Sequence, residues 1–132
     1  MFKLMNIGLE IGRKLRLNMS KKDIRKQFKD SVFKRDNWTC QVCGIMFSTN
    51  PDFFDAHHIT DRSEMPNGGY VKENGITVCK NPLVKFEDSC HMKCEKYHIS
   101  GGIEWVDGLH PNDLYKKIGS SKELAIEKSK LL

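Results

Sequence analysis

The first clear pattern of hydrophobic and polar positions lies in residues 20–35. Ser20 can act as an N-cap and Asp23 would lie in the first turn. Four apolar residues recur at helical spacing, namely Ile24, Phe28, Val32 and Phe33. Basic residues fill most of the positions between them. The pattern predicts a helix whose apolar stripe packs against the body of the protein while its basic side chains face outward.

Shorter apolar runs follow and predict strands instead of helices. We expect two short strands around a tight turn ending at Gly44 within residues 38–47. Two further strands are predicted over residues 53–59 and 75–79. Residues 61–70 are rich in turn-forming residues and predict a loop.

The last third of the chain predicts three helices. The first covers residues 89–98 with Ser89 as its N-cap, and two glycines follow it. The second begins at Pro111, a favoured first-turn residue. The third follows a capping-box pattern formed by Ser120 and Glu123. Nothing beyond the first of these helices carries obvious chemistry, so we expect that part to serve packing.

Length and composition are those of a single soluble domain. The chain has 132 residues, of which 39% are hydrophobic and 30% charged, enough for one modest core. No run approaches the ~20 apolar residues that span a bilayer. The start lacks the apolar core and cleavage site of a signal peptide. These features predict a cytoplasmic protein with no membrane partner.

The net charge of +5 is unevenly distributed. Residues 1–36 contain eleven basic and four acidic residues and carry +7, whereas the rest of the chain carries −2. A basic segment beside a nearly neutral body indicates a polyanionic partner, most simply nucleic acid. The alternative is a lysine-rich helix that is merely well solvated.

Five cysteines in a cytoplasmic chain predict a metal site with one thiol left over, not a disulfide framework. Cys40 and Cys43 have the CxxC spacing of two zinc ligands on a turn. A closed zinc site needs four ligands, and Cys79 and Cys90 are the natural candidates for the other two. Cys94 lies one helical turn beyond Cys90 and is the alternative to Cys79. Buried free thiols are the other interpretation.

Two adjacent histidines, His57 and His58, end one of the predicted strands. Neighbouring strand residues point to opposite faces, so one imidazole can bind a catalytic metal ion while the other stays free as a base. Asn74 follows the loop, and His91 comes directly after Cys90. A zinc site at Cys90 would anchor the helix that presents His91.

With these residues in this order, positions 35–98 resemble HNH endonucleases of the ββα-metal type, particularly the zinc-stapled phage and bacterial versions. The matching pieces are RDNWTCQVCG (35–44), AHHI (56–59), NGITVC (74–79) and CH (90–91). The resemblance implies an α+β fold with a small, treble-clef-like ββα-metal core and a structural zinc ion. That core would cover residues 35–100. A basic N-terminal helical extension (1–34) and a C-terminal helical segment (101–132) would flank it within one compact domain.

The resemblance also implies roles for individual residues. His57 matches the first ligand of the catalytic metal ion, and His91 matches a second. His58 matches the general base that deprotonates the attacking water. Asn74 matches the asparagine that braces the loop bearing that base.

Two departures from the family pattern leave alternatives open. Ten residues separate Cys79 from Cys90 where the family usually has two, which keeps Cys94 in consideration, although a surface loop absorbs such an insertion at small entropic cost. A further metal ligand often follows the CH histidine by one helical turn. Here Glu95 holds that position and His98 lies two turns on, so Glu95, His98 or a water would complete the site.

The function implied is metal-dependent hydrolysis of DNA, by nicking or double-strand cleavage, giving 5′-phosphate and 3′-hydroxyl ends. Structural Zn²⁺ and a catalytic Mg²⁺ or Mn²⁺ are expected. The protein would act as a monomer or homodimer, inside a bacterial host cell if it is phage-encoded. Expected DNA contacts are Arg62, for which a plain surface arginine is the alternative, and the helical residues Lys22, Arg25, Lys26 and Lys29.

Two other functions are compatible with the sequence. A zinc-stapled nucleic-acid-binding module without catalysis would keep the cysteines and the basic segment and would make the histidine pair incidental. A nuclease toxin with an immunity partner is the third possibility, although the sequence contains no translocation or receptor module.

Overall fold

The computed structural model describes residues 19–46, 51–80 and 85–132. In these ranges helix α1 spans Lys21–Arg35, strand β1 spans Phe54–His58 and strand β2 spans Gly75–Cys79. Three helices follow: α2 spans Cys90–Ile99, α3 spans Pro111–Lys117 and α4 spans Lys122–Ser129. The α+β class predicted from the sequence is therefore confirmed, with β1, β2 and α2 as a ββα unit. Residues 1–18 of the predicted basic extension lie outside the described residues.

Helix α1 forms where the apolar stripe predicts it. The Ser20 side chain accepts a hydrogen bond from the backbone N–H of Asp23 at 3.1 Å, which caps the helix. Phe28, Val32 and Phe33 are buried in the core, so the stripe packs as expected. The basic side chains of the helix are mostly exposed.

A charged pair at the end of α1 attaches the helix to β2. The Arg35 guanidinium donates to the Gly75 carbonyl at 2.6 Å and to the neighbouring Asp36 carboxylate at 2.8 Å. The Asp36 carboxylate in turn accepts a hydrogen bond from the Thr77 backbone N–H at 2.9 Å. Since Asp36 and Thr77 are buried, these bonds satisfy polar groups that would otherwise be costly to desolvate.

Strands β1 and β2 form a two-stranded antiparallel sheet in which His57 pairs with Ile76 and His58 with Gly75. Every residue of β2 is buried. Gly75 lies where α1 crosses the sheet, and a Cβ atom there would come within 2.5 Å of Val32 and 2.7 Å of Phe28. Glycine at this position lets α1 approach the end of the sheet that carries the histidine pair.

The two strands predicted within residues 38–47 are wrong as strands. The described residues there form one isolated bridge, between Thr39 and Met46, and Phe47 lies outside the described residues. The chain turns tightly instead: the Cys40 backbone N–H donates to the Ile45 carbonyl, and Gly44 closes the turn at a φ of 82°. The turn is too short to leave paired strands on either side.

The C-terminal helices pack against the loops that connect the two strands. Helix α4 is capped by Ser121, which accepts from the Leu124 backbone N–H at 3.1 Å. The capping box predicted from Ser120 and Glu123 is therefore wrong: the N-cap lies one residue later, and Leu124 holds the N3 position. The Ser120 hydroxyl donates instead to the Glu73 carbonyl at 2.8 Å. Among the described residues, no helix is long and apolar enough to cross a membrane.

Candidate metal centres and active site

The first cluster of metal-binding side chains consists of four cysteines. Cys40 and Cys43 come from the tight turn, Cys79 ends β2 and Cys90 begins α2. Their sulfur atoms all lie within 4.8 Å of one another, and the Cys43 and Cys79 sulfurs are 3.4 Å apart. A tetrahedral zinc site with Zn–S bonds of about 2.3 Å has edges of about 3.8 Å. The four thiols therefore fit a structural zinc ion.

Cys94 is buried but lies outside this cluster. The structure thus places Cys79, and not the alternative Cys94, with the other three thiols. Burial raises the pKa of Cys79 to about 11 and raises that of Cys90 further. Zinc binds thiolates, so its binding must release these protons.

The second cluster consists of His57, His91 and Glu95, whose ligand atoms also lie within 4.8 Å of one another. Glu95 Oε1 is 3.0 Å from His57 Nδ1 and 3.5 Å from His91 Nε2. Hydrogen bonds from His57 and then His91 hold the pKa of the Glu95 carboxyl well below its usual range, so it is ionised at neutral pH. Two imidazole nitrogens and one carboxylate oxygen fit a divalent ion and leave positions open for water and substrate.

The geometry of α2 places the two candidate third ligands differently. Glu95 follows His91 by one helical turn and shares its face, whereas His98 lies farther along the helix. The His98 Nε2 atom is 3.1 Å from the carbonyl oxygen of His58, and its ring lies 5.4 Å from that of His57. Glu95 therefore joins the metal-binding group, while His98 contacts the backbone of the neighbouring histidine.

His58 points away from that group. Its ring packs against Phe28 at 4.6 Å and against the edge of Tyr70 at 4.8 Å, measured between ring centroids. Burial, followed by the nearby charges of His57 and Arg62, lowers the pKa of His58 to about 4. The imidazole is therefore neutral at physiological pH, and its Nε2 atom is buried without a hydrogen-bond partner in the described part of the chain.

Asn74 is fully buried and holds the segment that follows His58. Its side-chain amide donates to the carbonyls of Thr60 and Gly69 at 3.1 and 3.2 Å, and its Oδ1 accepts from the Thr60 backbone N–H at 3.0 Å. The Asn74 carbonyl also accepts from the Ile59 backbone N–H at 2.9 Å. These bonds tie Ile59 and Thr60, the two residues after His58, to Asn74 at the far end of the loop. Asn74 thus lies where an asparagine that braces this loop is expected.

Tyr115, on α3, belongs to the same network and was missed by the sequence analysis. Its hydroxyl donates to Asn74 Oδ1 at 2.7 Å and lies 2.6 Å from the Thr60 hydroxyl. Burial raises the pKa of Tyr115, which keeps the hydroxyl protonated as a donor. Its only signal in the sequence is an aromatic residue in a helical pattern, which ordinarily indicates core packing, so its contact with Asn74 was not predictable.

The basic residues expected to contact DNA fall into two groups. The Lys26 and Lys29 ammonium groups approach carboxylates, at 2.8 Å from Asp30 and 3.6 Å from Asp55. In contrast, Lys22 and Arg25 are exposed near the start of α1, and the exposed Arg62 donates to the Tyr70 hydroxyl at 3.1 Å.

Comparison with known families agrees with this geometry. Residues 40–81 match the family model of the HNH endonuclease. The match includes three of the four clustered cysteines, both histidines of the pair and Asn74, whereas His91 and Glu95 lie beyond its end. No curated protein and no solved structure matches the chain. The match agrees with the resemblance drawn from the motifs and places residues 40–81 as the part of this chain that is similar to HNH endonucleases.

Proposed function

We propose that this protein is a metal-dependent endonuclease that hydrolyses DNA phosphodiester bonds, by nicking or double-strand cleavage, to leave 5′-phosphate and 3′-hydroxyl ends. The observation that carries the proposal is the division of labour between His57 and His58. His57 meets His91 and Glu95 on one face of β1, while the half-buried, neutral imidazole of His58 lies on the other. One face thus supplies metal ligands and the other a proton acceptor.

The base step follows from the state of His58. Its neutral imidazole accepts a proton from a water molecule as the water oxygen attacks phosphorus. The bond between phosphorus and the 3′ oxygen breaks, and its electron pair leaves with that oxygen, which then takes a proton from solvent. Asn74 and Tyr115 act as positioning residues, since their hydrogen bonds hold Thr60 two positions after the base.

His57, His91 and Glu95 would hold the catalytic divalent ion, Mg²⁺ or Mn²⁺. When bound, such an ion neutralises charge on the phosphate and stabilises the departing 3′ oxygen. Because Mg²⁺ prefers sites made only of oxygen ligands, the two nitrogen donors of this set favour Mn²⁺. The four cysteines would hold Zn²⁺ and fix the start of α2, so that His91 directly follows a zinc ligand.

Plasmid cleavage tests the proposal. Supercoiled plasmid is incubated with the protein and either Mg²⁺ or Mn²⁺, alongside His58→Ala and the control His110→Asn. His110 caps α3 far along the chain from the histidine pair, and asparagine retains capping ability. We expect nicked or linear product with the wild type and control, and a rate lower by about 10²–10⁴-fold for His58→Ala.

Two results would contradict the proposal: plasmid that stays supercoiled with every divalent ion, or a His58→Ala variant that cuts as fast as wild type. DNA binding with one bound zinc ion and no cleavage would support the non-catalytic binding module instead.

A further inference from the structure

A pocket lies beside the candidate base, between the first turns of α1 and the loop that follows β1. It encloses about 540 Å³, within the range of small-ligand sites. Lys21 and Arg25 line it from α1, and Arg62 and Tyr70 line it from the loop. None of these four residues belongs to either metal-binding cluster.

The charge of the pocket favours an anion. Three of its lining side chains are cationic, and Asp61 is the acidic residue among those that line it. The Asp61 carboxylate is occupied within its own turn, where it accepts hydrogen bonds from the backbone N–H and the hydroxyl of Ser63. The cations are therefore not neutralised by direct pairing inside the pocket, and a phosphate group would find a positive potential there.

Tyr70 connects this pocket to His58. Its hydroxyl accepts a hydrogen bond from Arg62 at 3.1 Å, and its ring meets the His58 ring edge-on at 4.8 Å. Burial alone would raise the pKa of Tyr70, but the hydrogen bond from Arg62 and the nearby positive charges of Arg62 and Arg25 outweigh it and lower that pKa. Both arginines therefore line the same pocket as Tyr70, and the ring of this tyrosine contacts the candidate base.

We propose that this pocket binds the sugar–phosphate unit next to the scissile bond of the DNA strand that is cut, with Arg25 and Arg62 holding its phosphate. The inference rests on the proposed nuclease function and deepens it. It separates the basic residues by role: Arg25 and Arg62 hold the backbone beside the base, while Lys26 and Lys29 mainly pair with Asp30 and Asp55 on α1 and β1. Such contacts set the register of the strand without reading its sequence.

The test compares Arg25→Ala/Arg62→Ala with the control Lys34→Ala/Lys128→Ala. Both double variants remove two positive charges from exposed positions, but the control residues do not line the pocket. Binding to a short DNA duplex is measured over a range of salt concentrations in the His58→Ala background, so that the DNA stays intact. Cleavage kinetics are measured separately with His58 present.

We expect the pocket variant to bind DNA at least tenfold more weakly. The slope of log K against log salt concentration should become shallower by ~0.9, the value for the loss of one phosphate contact. Its KM for DNA should rise at least tenfold while kcat changes less than threefold. Arg25→Lys/Arg62→Lys should restore most of the salt dependence, because lysine keeps the charge. The control should change affinity less than threefold.

Wild-type protein that neither binds nor cuts DNA would overturn the proposed function and this inference together. If the wild type cuts DNA but the pocket variant keeps its salt dependence and KM, the inference alone is overturned. Equal losses in the pocket and control variants would also overturn it, because they would indicate a general charge effect.

Discussion

The two candidate metal-binding clusters meet at the first turn of α2, where Cys90 and His91 are neighbours, yet they are built differently. Cys90 belongs to a set of four sulfur donors, three of them buried, which leaves a tetrahedral ion no open position. His91, the next residue, belongs to a set of three nitrogen and oxygen donors that leaves positions free. Under the proposed function, the start of α2 therefore serves both stability, through Cys90, and reactivity, through His91. Loss of the first cluster should affect the second, but the reverse should not hold.

The largest effect is expected from Cys90→Ser. Structural zinc in small domains contributes apparent binding free energies of about 10–16 kcal/mol, which become folding free energy. The variant should therefore lose its zinc, its cooperative thermal unfolding and its cleavage activity together. Zinc content by atomic absorption and unfolding by circular dichroism measure this.

Cys94→Ser is the matched control, since Cys94 is buried on the same helix but outside the cluster. It should keep one zinc ion per chain. A Cys90→Ser protein that retains both zinc and cooperative unfolding would contradict the structural role predicted for the four-cysteine cluster.

A smaller and more selective effect is expected from Glu95→Gln. The amide keeps the shape of the side chain but loses the charge that, in the proposed function, would hold a divalent ion together with His57 and His91. The variant should keep its zinc and its melting temperature, while the Mn²⁺ concentration for half-maximal cleavage rises at least tenfold. Titration of cleavage rate against Mn²⁺ measures the shift.

His98→Asn tests the competing ligand on the same helix. Because His98 contacts the His58 carbonyl instead of the metal-binding group, its substitution should leave the Mn²⁺ requirement within threefold of wild type. The opposite ranking of the two variants would show that the metal ion is held by His98 and not by Glu95.

The features that the sequence predicted well depend on neighbours along the chain. The CxxC turn, the Ser20 and Ser89 caps and both strands of the sheet follow from residues a few positions apart, and the structure contains each of them. The family motifs also predicted which cysteines and histidines lie together, because the order of the motifs carries long-range information that local patterns lack. The structure brings Cys40, Cys43, Cys79 and Cys90 together, and likewise His57 and His91.

The features that it predicted poorly depend on tertiary contacts. Ser120 and Ser121 both offer a capping hydroxyl, and the choice between them follows from the bond of Ser120 to Glu73, which is distant in sequence. The choice between Glu95 and His98 depends on how α2 is rotated against β1. Neither the spacing of residues along the chain nor their chemistry predicts how these helices are oriented against the rest of the fold.

The smallest expected effect comes from Tyr115→Phe, which tests how far the reactive cluster depends on its supporting helices. The substitution removes the donor to Asn74 Oδ1 and leaves the buried Thr60 hydroxyl without its tyrosine partner. Losing a buried partner costs about 1–3 kcal/mol, so the melting temperature should fall by several degrees. Since Asn74 keeps its own bonds to Thr60, cleavage should slow by only about tenfold, in kcat and not in KM. Tyr97→Phe, on α2, is the matched control and should leave kcat unchanged. If Tyr115→Phe lowers stability but not kcat, Tyr115 supports the fold alone, and the bracing of the segment after His58 is carried by Asn74 without help from α3.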